Sequence, residues 1–317
     1  MAWVLHDCAV EAVTNVAKHA GVDYVRTSAR FGGLFPLDGE IDDEKVRGLL
    51  LRNACEHNAP RSQPCRSTMT FVFDFAPRSA ASHHAQDTAS VDMSVLDSPA
   101  WSALNGAHAR FAEGNEFVKR YQNDVSPFVG VVSWEEPAIW DAMIDMFGRE
   151  AHVSLSHFAG ELPTGWTEVG RGEGLQMVAS PRVTGEPFAE AIELGPDDAD
   201  EMMAIVARNE PGPFRPRTHE LGRYVGVRRD GKLIAMAGER LHPDGFTEIS
   251  AVCVDEDYRR QGLASALVLD VAHAIRSRGD VPFLHVSATN LGAAAAYEKI
   301  GFELRRKVSF LTAQTPA

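Results

Sequence analysis

Glu248-Ile-Ser-Ala-Val-Cys-Val-Asp-Glu-Asp-Tyr-Arg-Arg-Gln-Gly-Leu-Ala-Ser265 decides how this chain is read. Among its first seven residues Ile249, Val252 and Val254 are β-branched, and the run predicts a strand. Apolar positions at Leu263, Ala266, Leu267, Val271, Ala274 and Ile275 recur at helical spacing, so a helix opens near Leu263. The loop between them holds Arg259, Arg260, Gln261 and Gly262. Backbone N–H groups at a helix opening point the same way, and with the helix dipole they attract an anion such as pyrophosphate. Gly262 lets a ligand approach the main chain, Ala264 keeps the next position small, and Arg259 and Arg260 supply charge.

Upstream, Pro196-Asp-Asp-Ala-Asp-Glu201 places carboxylates ahead of Met202, Met203, Ile205 and Val206, as at a helix start. Residues 224–228 and 233–237 form an alternating pair about a turn at Asp230-Gly231, and Asp244-Gly245 leads into the strand 248–254. An antiparallel meander is expected. Downstream, a further strand is predicted over 282–288, then Asn290, Ala293 and Ala296-Tyr-Glu-Lys-Ile-Gly-Phe302.

Arg259-x-x-Gly262-x-Ala264, in this strand–loop–helix–strand order and followed by Asn290 and the Tyr297 block, resembles the GNAT acetyltransferase superfamily. The resemblance spans about residues 101–311 and is firmest from 218 onward. It implies an α/β (α+β) GNAT fold: a mixed, mostly antiparallel central sheet flanked by helices, preceded by a smaller α/β half and a poorly ordered N-terminal extension. The implied domains are 1–92, 93–190 and 191–317.

The implied activity moves an acetyl group from acetyl-CoA, a co-substrate, to an amine by direct attack in a ternary complex. By the same resemblance Arg259, Arg260, Gln261, Gly262, Leu263, Ala264 and Ser265 bind the cofactor. Strand residues Val252, Cys253 and Val254 offer backbone groups to its pantetheine arm where two strands splay, and Val254 N–H polarises the carbonyl. Asn290 binds the arm, and Tyr297 protonates the departing thiolate. The alternatives are an aromatic packed on the sheet for Tyr297 and a helix N-cap for Asn290.

Glu248 occupies a place where some members carry a general base. Two-residue alternation puts it on one face with Ser250, Val252 and Val254. The alternative is a partner for Arg240 across the hairpin; Glu239 is the next candidate base. Cys253 reads as a small buried hydrophobe and His285 as a satisfied core or cleft histidine. A second function stays open: an acyl-CoA-binding regulatory or sensory module without turnover.

Over residues 101–180 helical and strand signals alternate. A helix is expected over 100–117, a strand over 128–134, a helix over 137–147, and a turn at Gly170-Arg-Gly-Glu-Gly174 before a strand at 175–179. Residues 53–92 are rich in Pro, Ser, Ala and His and predict loose order, with one short apolar run over 71–75. Glu11-Ala-Val-Thr-Asn-Val-Ala-Lys-His-Ala20 resembles the Asn-bearing helix of histidine-kinase-type ATPase domains. Asp43, however, runs into Glu44-Lys45-Val46 instead of a Gly-rich loop, so a remnant or an incidental amphipathic helix is expected. Met93 is where the compact protein, or its natural start, is expected.

The 317 residues carry 31 basic and 44 acidic side chains, a formal charge of -13. That balance disfavours nucleic acid and anionic membrane as partners; the resemblance implies a small-molecule amine or an amino group as the acceptor. Cys8, Cys55, Cys65 and Cys253 form no CxxC pair, so neither disulfide framework nor metal site is expected, and His83-His84 lacks ligand spacing. Without a signal peptide or a long apolar run, the expected location is the cytoplasm.

Overall fold

The computed structural model describes residues 92–317 and, before them, only three short strands. These are β1 (Arg26–Phe31), β2 (Phe35–Pro36) and β3 (Thr70–Asp74), an antiparallel sheet in the order β2-β1-β3. The ATPase-like segment 11–20, His83-His84 and the loose order expected between 53 and 91 otherwise lie outside the described residues. Residues 1–88 and 89–317 are separate compact units.

The second unit opens with a 3-10 turn (Met93–Asp97), α1 (Pro99–Asn105), and a small antiparallel sheet of β4 (Ala112–Gly114), β5 (Val118–Tyr121) and β6 (Val129–Val131). The helix expected over 100–117 therefore ends early. Gly106 and Gly114 break it, the latter at φ 138°, where only glycine is comfortable. After α2 (Ala138–Phe147) come β7 (His152–Ser156), β8 (Thr167–Ala179), β9 (Ile192–Leu194), α3 (Ala199–Asn209), β10 (Tyr224–Arg229), β11 (Lys232–Glu239) and β12 (Phe246–Val254). The chain closes with α4 (Leu263–Ser277), β13 (Val281–Ser287), α5 (Leu291–Ile300) and β14 (Phe302–Gln314).

Eight strands form one sheet in the order β7-β14-β8-β13-β12-β11-β10-β9. Its one parallel pair is β12 with β13; the remaining neighbours are antiparallel. The mixed, mostly antiparallel sheet is thus present, but the division expected at 190/191 cuts through it. β8, from the earlier segment, lies between β13 and β14.

The turn expected at 170–174 is instead the middle of β8. Gly174 stays small because a Cβ there would come within 2.4 Å of the Phe310 ring on β14. One sheet face packs on α4 through Ile249, Val254, Leu267, Val271, Leu284 and Val286. On the other face, Phe246 and Phe283 meet Leu104, Tyr121 and Phe128 from the small sheet and α1, while Tyr224, Met236 and Cys253 meet Met202 and Ile205 of α3. At roughly 25 cal/mol per Å2 of apolar surface, these clusters are the main force holding helices to sheet.

Candidate functional site

The parallel pairing of β12 with β13 runs from Phe246↔Val281 to Ile249↔Leu284 and stops. Beyond that point β12 pairs only with β11, and β13 only with β8. The strands diverge there, and the β12 edge facing the gap keeps backbone groups outside any ladder. Asp255 N–H donates to Ile234 O across β11; by alternation Cys253 uses that same edge, and Val254 N–H faces the gap. The Val254 carbonyl accepts from Arg259 Nε at 3.1 Å.

A bulge lies in this segment. The register with β11 slips between Gly238↔Ser250 and Met236↔Cys253, and Ala251 sits at φ 54°, a left-handed conformation that costs about 1–2 kcal/mol in a non-glycine residue. The extra residue reverses which side chains face which way. Val252 and Val254 pack with Ile249 on the α4 side, whereas Ala251 and Cys253 pack toward α3.

This corrects two expectations. Glu248 does not share a face with Val252 and Val254. Cys253 turns its backbone to β11 and its thiol into the α3 core, where burial and then Asp255 push the thiol up to about 12, so it leaves the cofactor-binding set and is no nucleophile.

The loop after β12 bends at Arg260 (φ 62°) and Gly262 (φ 83°) before α4 begins. No side chain caps that helix, so its first-turn N–H groups, at Leu263, Ala264 and Ser265, face the exposed loop. A Cβ on Gly262 would meet nothing within 4 Å, so it is the positive φ, not crowding within the protein, that favours glycine there. Arg259 donates to Val254 O and, at 2.9 Å, to Asn209 Oδ1, which ties the loop to β12 and α3. Beneath it Asp255, though burial raises it, is brought down to about 2 by Arg208, Lys232 and Asn209. Arg260 and Gln261 are exposed. An uncapped dipole end with an exposed cation beside it fits a pyrophosphate.

Asn290 Oδ1 caps α5 by accepting from Ala293 N–H at 3.2 Å, so the N-cap alternative is realised. Tyr297 is half-buried against the α4 core, its ring 6.1 Å from that of Phe302. Burial raises its hydroxyl to about 12, which keeps the proton on oxygen at neutral pH.

Glu248 is fully buried. Its carboxylate accepts from Arg240 Nε at 2.9 Å and Arg240 Nη2 at 2.6 Å, and from His285 Nδ1 at 2.7 Å. Burial would raise this carboxyl, but Arg240 and His285 outweigh it and hold it well below the usual carboxylate range. A carboxylate so paired does not take a proton from an amine, and Glu248 is corrected from base to anchor. Glu239, the second candidate, is also buried and accepts from Arg278 Nη2 at 2.8 Å. His285 is therefore no idle core histidine: its Nδ1 side holds Glu248, and its Nε2 lies 3.0 Å from His157 Nε2 and 3.2 Å from Gln176 Nε2. His157 and Gln176 escaped the sequence reading because they lie 128 and 109 residues away.

A crystal structure of a GNAT-family protein from Novosphingobium aromaticivorans DSM 12444 is similar over 70% of this chain and 99% of its own, at 31% identity and a TM-score of 0.65. The chain belongs to the GNAT family. Residues 224–311 of this GNAT chain also match the FR47-like protein family. Mycothiol acetyltransferase of Thermomonospora curvata is 34% identical over 122 residues, 38% of each chain. The [ribosomal protein bS18]-alanine N-acetyltransferase of Escherichia coli K12 is 37% identical over 83 residues, 25% of this chain and 55% of the enzyme. The GNAT chain thus spans little more than a third and about half the length of these curated relatives.

Proposed function

We propose that this protein is an N-acetyltransferase that moves an acetyl group from acetyl-CoA to an amine by direct attack. The divergence of β12 from β13 beside an uncapped helix end carries this reading. The α4 N-terminus, Arg260 and Gly262 would take the pyrophosphate. The free edge of β12 would take the pantetheine amides as a missing strand would, with Val254 N–H polarising the thioester carbonyl. As C–N forms and C–S breaks, Tyr297 gives its proton to sulfur. Asn290, with its Oδ1 on Ala293 N–H, keeps its amide N–H groups for the cofactor arm.

The acceptor is an amine of a small molecule or a protein; the relatives' names contain mycothiol and the alanine of a ribosomal protein. Among the described residues no helix is long and apolar enough to cross a membrane; a cytoplasmic location is part of the proposal. A thiol-release assay with acetyl-CoA against a panel of small amines and amino-terminal peptides tests it. Release that depends on the amine supports the enzyme. Acetyl-CoA binding without turnover for any amine leaves the regulatory module.

A further inference from the structure

We propose that His157 and His285 act together as the proton acceptor of the acetyl-transfer site, sharing one proton between their facing Nε2 atoms. A count of hydrogens carries the inference. His157 Nδ1 lies 3.1 Å from the backbone carbonyl of Asp97, His285 Nδ1 lies 2.7 Å from the ionised Glu248, and the two Nε2 atoms are 3.0 Å apart. The first two partners only accept, so both Nδ1 positions need a hydrogen, and the Nε2 contact needs a third. Two neutral imidazoles carry two. The neutral pair therefore opposes two lone pairs at 3.0 Å, and one added proton replaces that opposition with a charge-assisted bond, at the expense of the longer 3.2 Å bond from Gln176 Nε2.

Burial and the neighbouring His285 lower His157 to about 3. Gln176 steadies the neutral ring: Arg305 Nη1 donates to its Oε1 at 2.7 Å, which aims its amide hydrogens at Leu96 O and His285 Nε2. The charged groups around the pair are Glu248 from β12, Arg240 just after β11, Arg305 and Arg306 from β14, and Asp97, which pairs with both of those arginines at 2.7 Å. Phe283 and Phe310 close on the His285 ring.

A cavity of about 20 Å3, lined by both histidines and Ser156, has room for one water. Ser156 Oγ is buried without a hydrogen-bond partner among the described residues, so a water there has a partner beside the pair. The inference rests on the acetyl-transfer reading. An ammonium acceptor loses two protons on acetylation. One passes through this water to the pair before attack; the other leaves the tetrahedral adduct and replaces the proton that Tyr297 gives to sulfur. His157 comes from the segment before residue 190, so that segment completes the site.

Imidazole nitrogen resonances of the full chain, labelled with 15N-histidine and assigned with His157→Phe and His285→Gln, test the pairing without any substrate. The two rings are expected to take up one proton in a single step, with both Nδ1 atoms protonated throughout. In His157→Phe the proton affinity of His285 falls at least tenfold. Two independent full steps, two rings that stay neutral down to pH 5, or an unmoved His285 midpoint in His157→Phe overturns the pairing; if that variant does not fold, the wild-type titration decides alone.

Activity with the best amine of the panel then tests the role. The acid limb of kcat/KM falls as pH drops through the pair's midpoint, and it moves to lower pH in His157→Phe. An acid limb that ignores the pair's titration overturns the role. Failure of the wild-type chain to bind acetyl-CoA by calorimetry would instead overturn the acetyl-transfer reading and leave the nitrogen titration standing.

Discussion

Replacing Arg240 by Met removes the guanidinium, which also lies over the Phe128 ring, and leaves Glu248 charged with no access to water. Glu248 has zero exposure and two of its three hydrogen bonds come from Arg240. Removing one partner of a buried ion pair costs about 3–5 kcal/mol, and the bond from His285 sets the expectation near 3. For a unit of this size that is a fall in Tm of about 6–12 °C. Tryptophan fluorescence in a denaturant titration reads it, since Trp101, Trp134, Trp140 and Trp166 all lie in the unit 89–317.

The pH dependence supplies a sign. In the wild-type protein the Glu248 carboxyl is depressed, so its contribution is present above the unfolded value of about 4.3 and is lost as pH falls through the folded value. Without Arg240, burial dominates and raises that carboxyl, so protonation relieves the variant as pH falls. The stability gap between the two proteins therefore narrows on acidification, and a double change with Glu248→Leu recovers most of the loss. A cost under about 1 kcal/mol at neutral pH, or a gap that does not change with pH, would refute the buried ionised pair.

Tyr297→Phe is expected to lower kcat by at least tenfold while acetyl-CoA affinity stays within twofold; steady-state kinetics with calorimetry separate the two. The basic limb of kcat set by this hydroxyl lies near its raised value of about 12, so rates stay level where an unperturbed tyrosine would already titrate. Asn290→Ala removes the cap on Ala293 N–H and costs about 1 kcal/mol in denaturant titration, with a loss of cofactor affinity besides if its amide binds the arm. Cys253, buried and held protonated, is expected to resist alkylation at neutral pH until the unit unfolds, which mass spectrometry of the modified peptide checks.

The strand–loop–helix at the head of α4 was legible because its pattern is local: a strand, a basic loop with Gly262, and a helix lie within eighteen consecutive residues, and each carries its own pattern. The hairpins at Asp230-Gly231 and Asp244-Gly245 were legible for the same reason. The bulge at Ala251 was not. Alternation is a rule about regular strands, and no residue type in Ser250-Ala-Val-Cys253 announces an inserted residue; the error moved Glu248 onto the wrong face. Arg240 across the hairpin was available as a partner, and the structure realises it. The place of β8 between β13 and β14, and with it the meeting of Gln176 and His157 with His285, depends on pairings across more than a hundred residues, which local patterns do not encode. Gly174 misled because a glycine kept for close approach looks the same in sequence as a glycine kept for a turn.

The measurement closest to the central claim is calorimetric titration of acetyl-CoA into the full chain and into Gly262→Val. Valine at φ 83° strains the loop and fills the space through which the anion reaches the helix amides. One salt-sensitive binding site in the wild-type chain, with affinity reduced at least a hundredfold in a variant of unchanged circular dichroism, is the predicted result. Equal affinity in the two proteins, or no binding to the wild-type chain, would contradict a cofactor site at the head of α4.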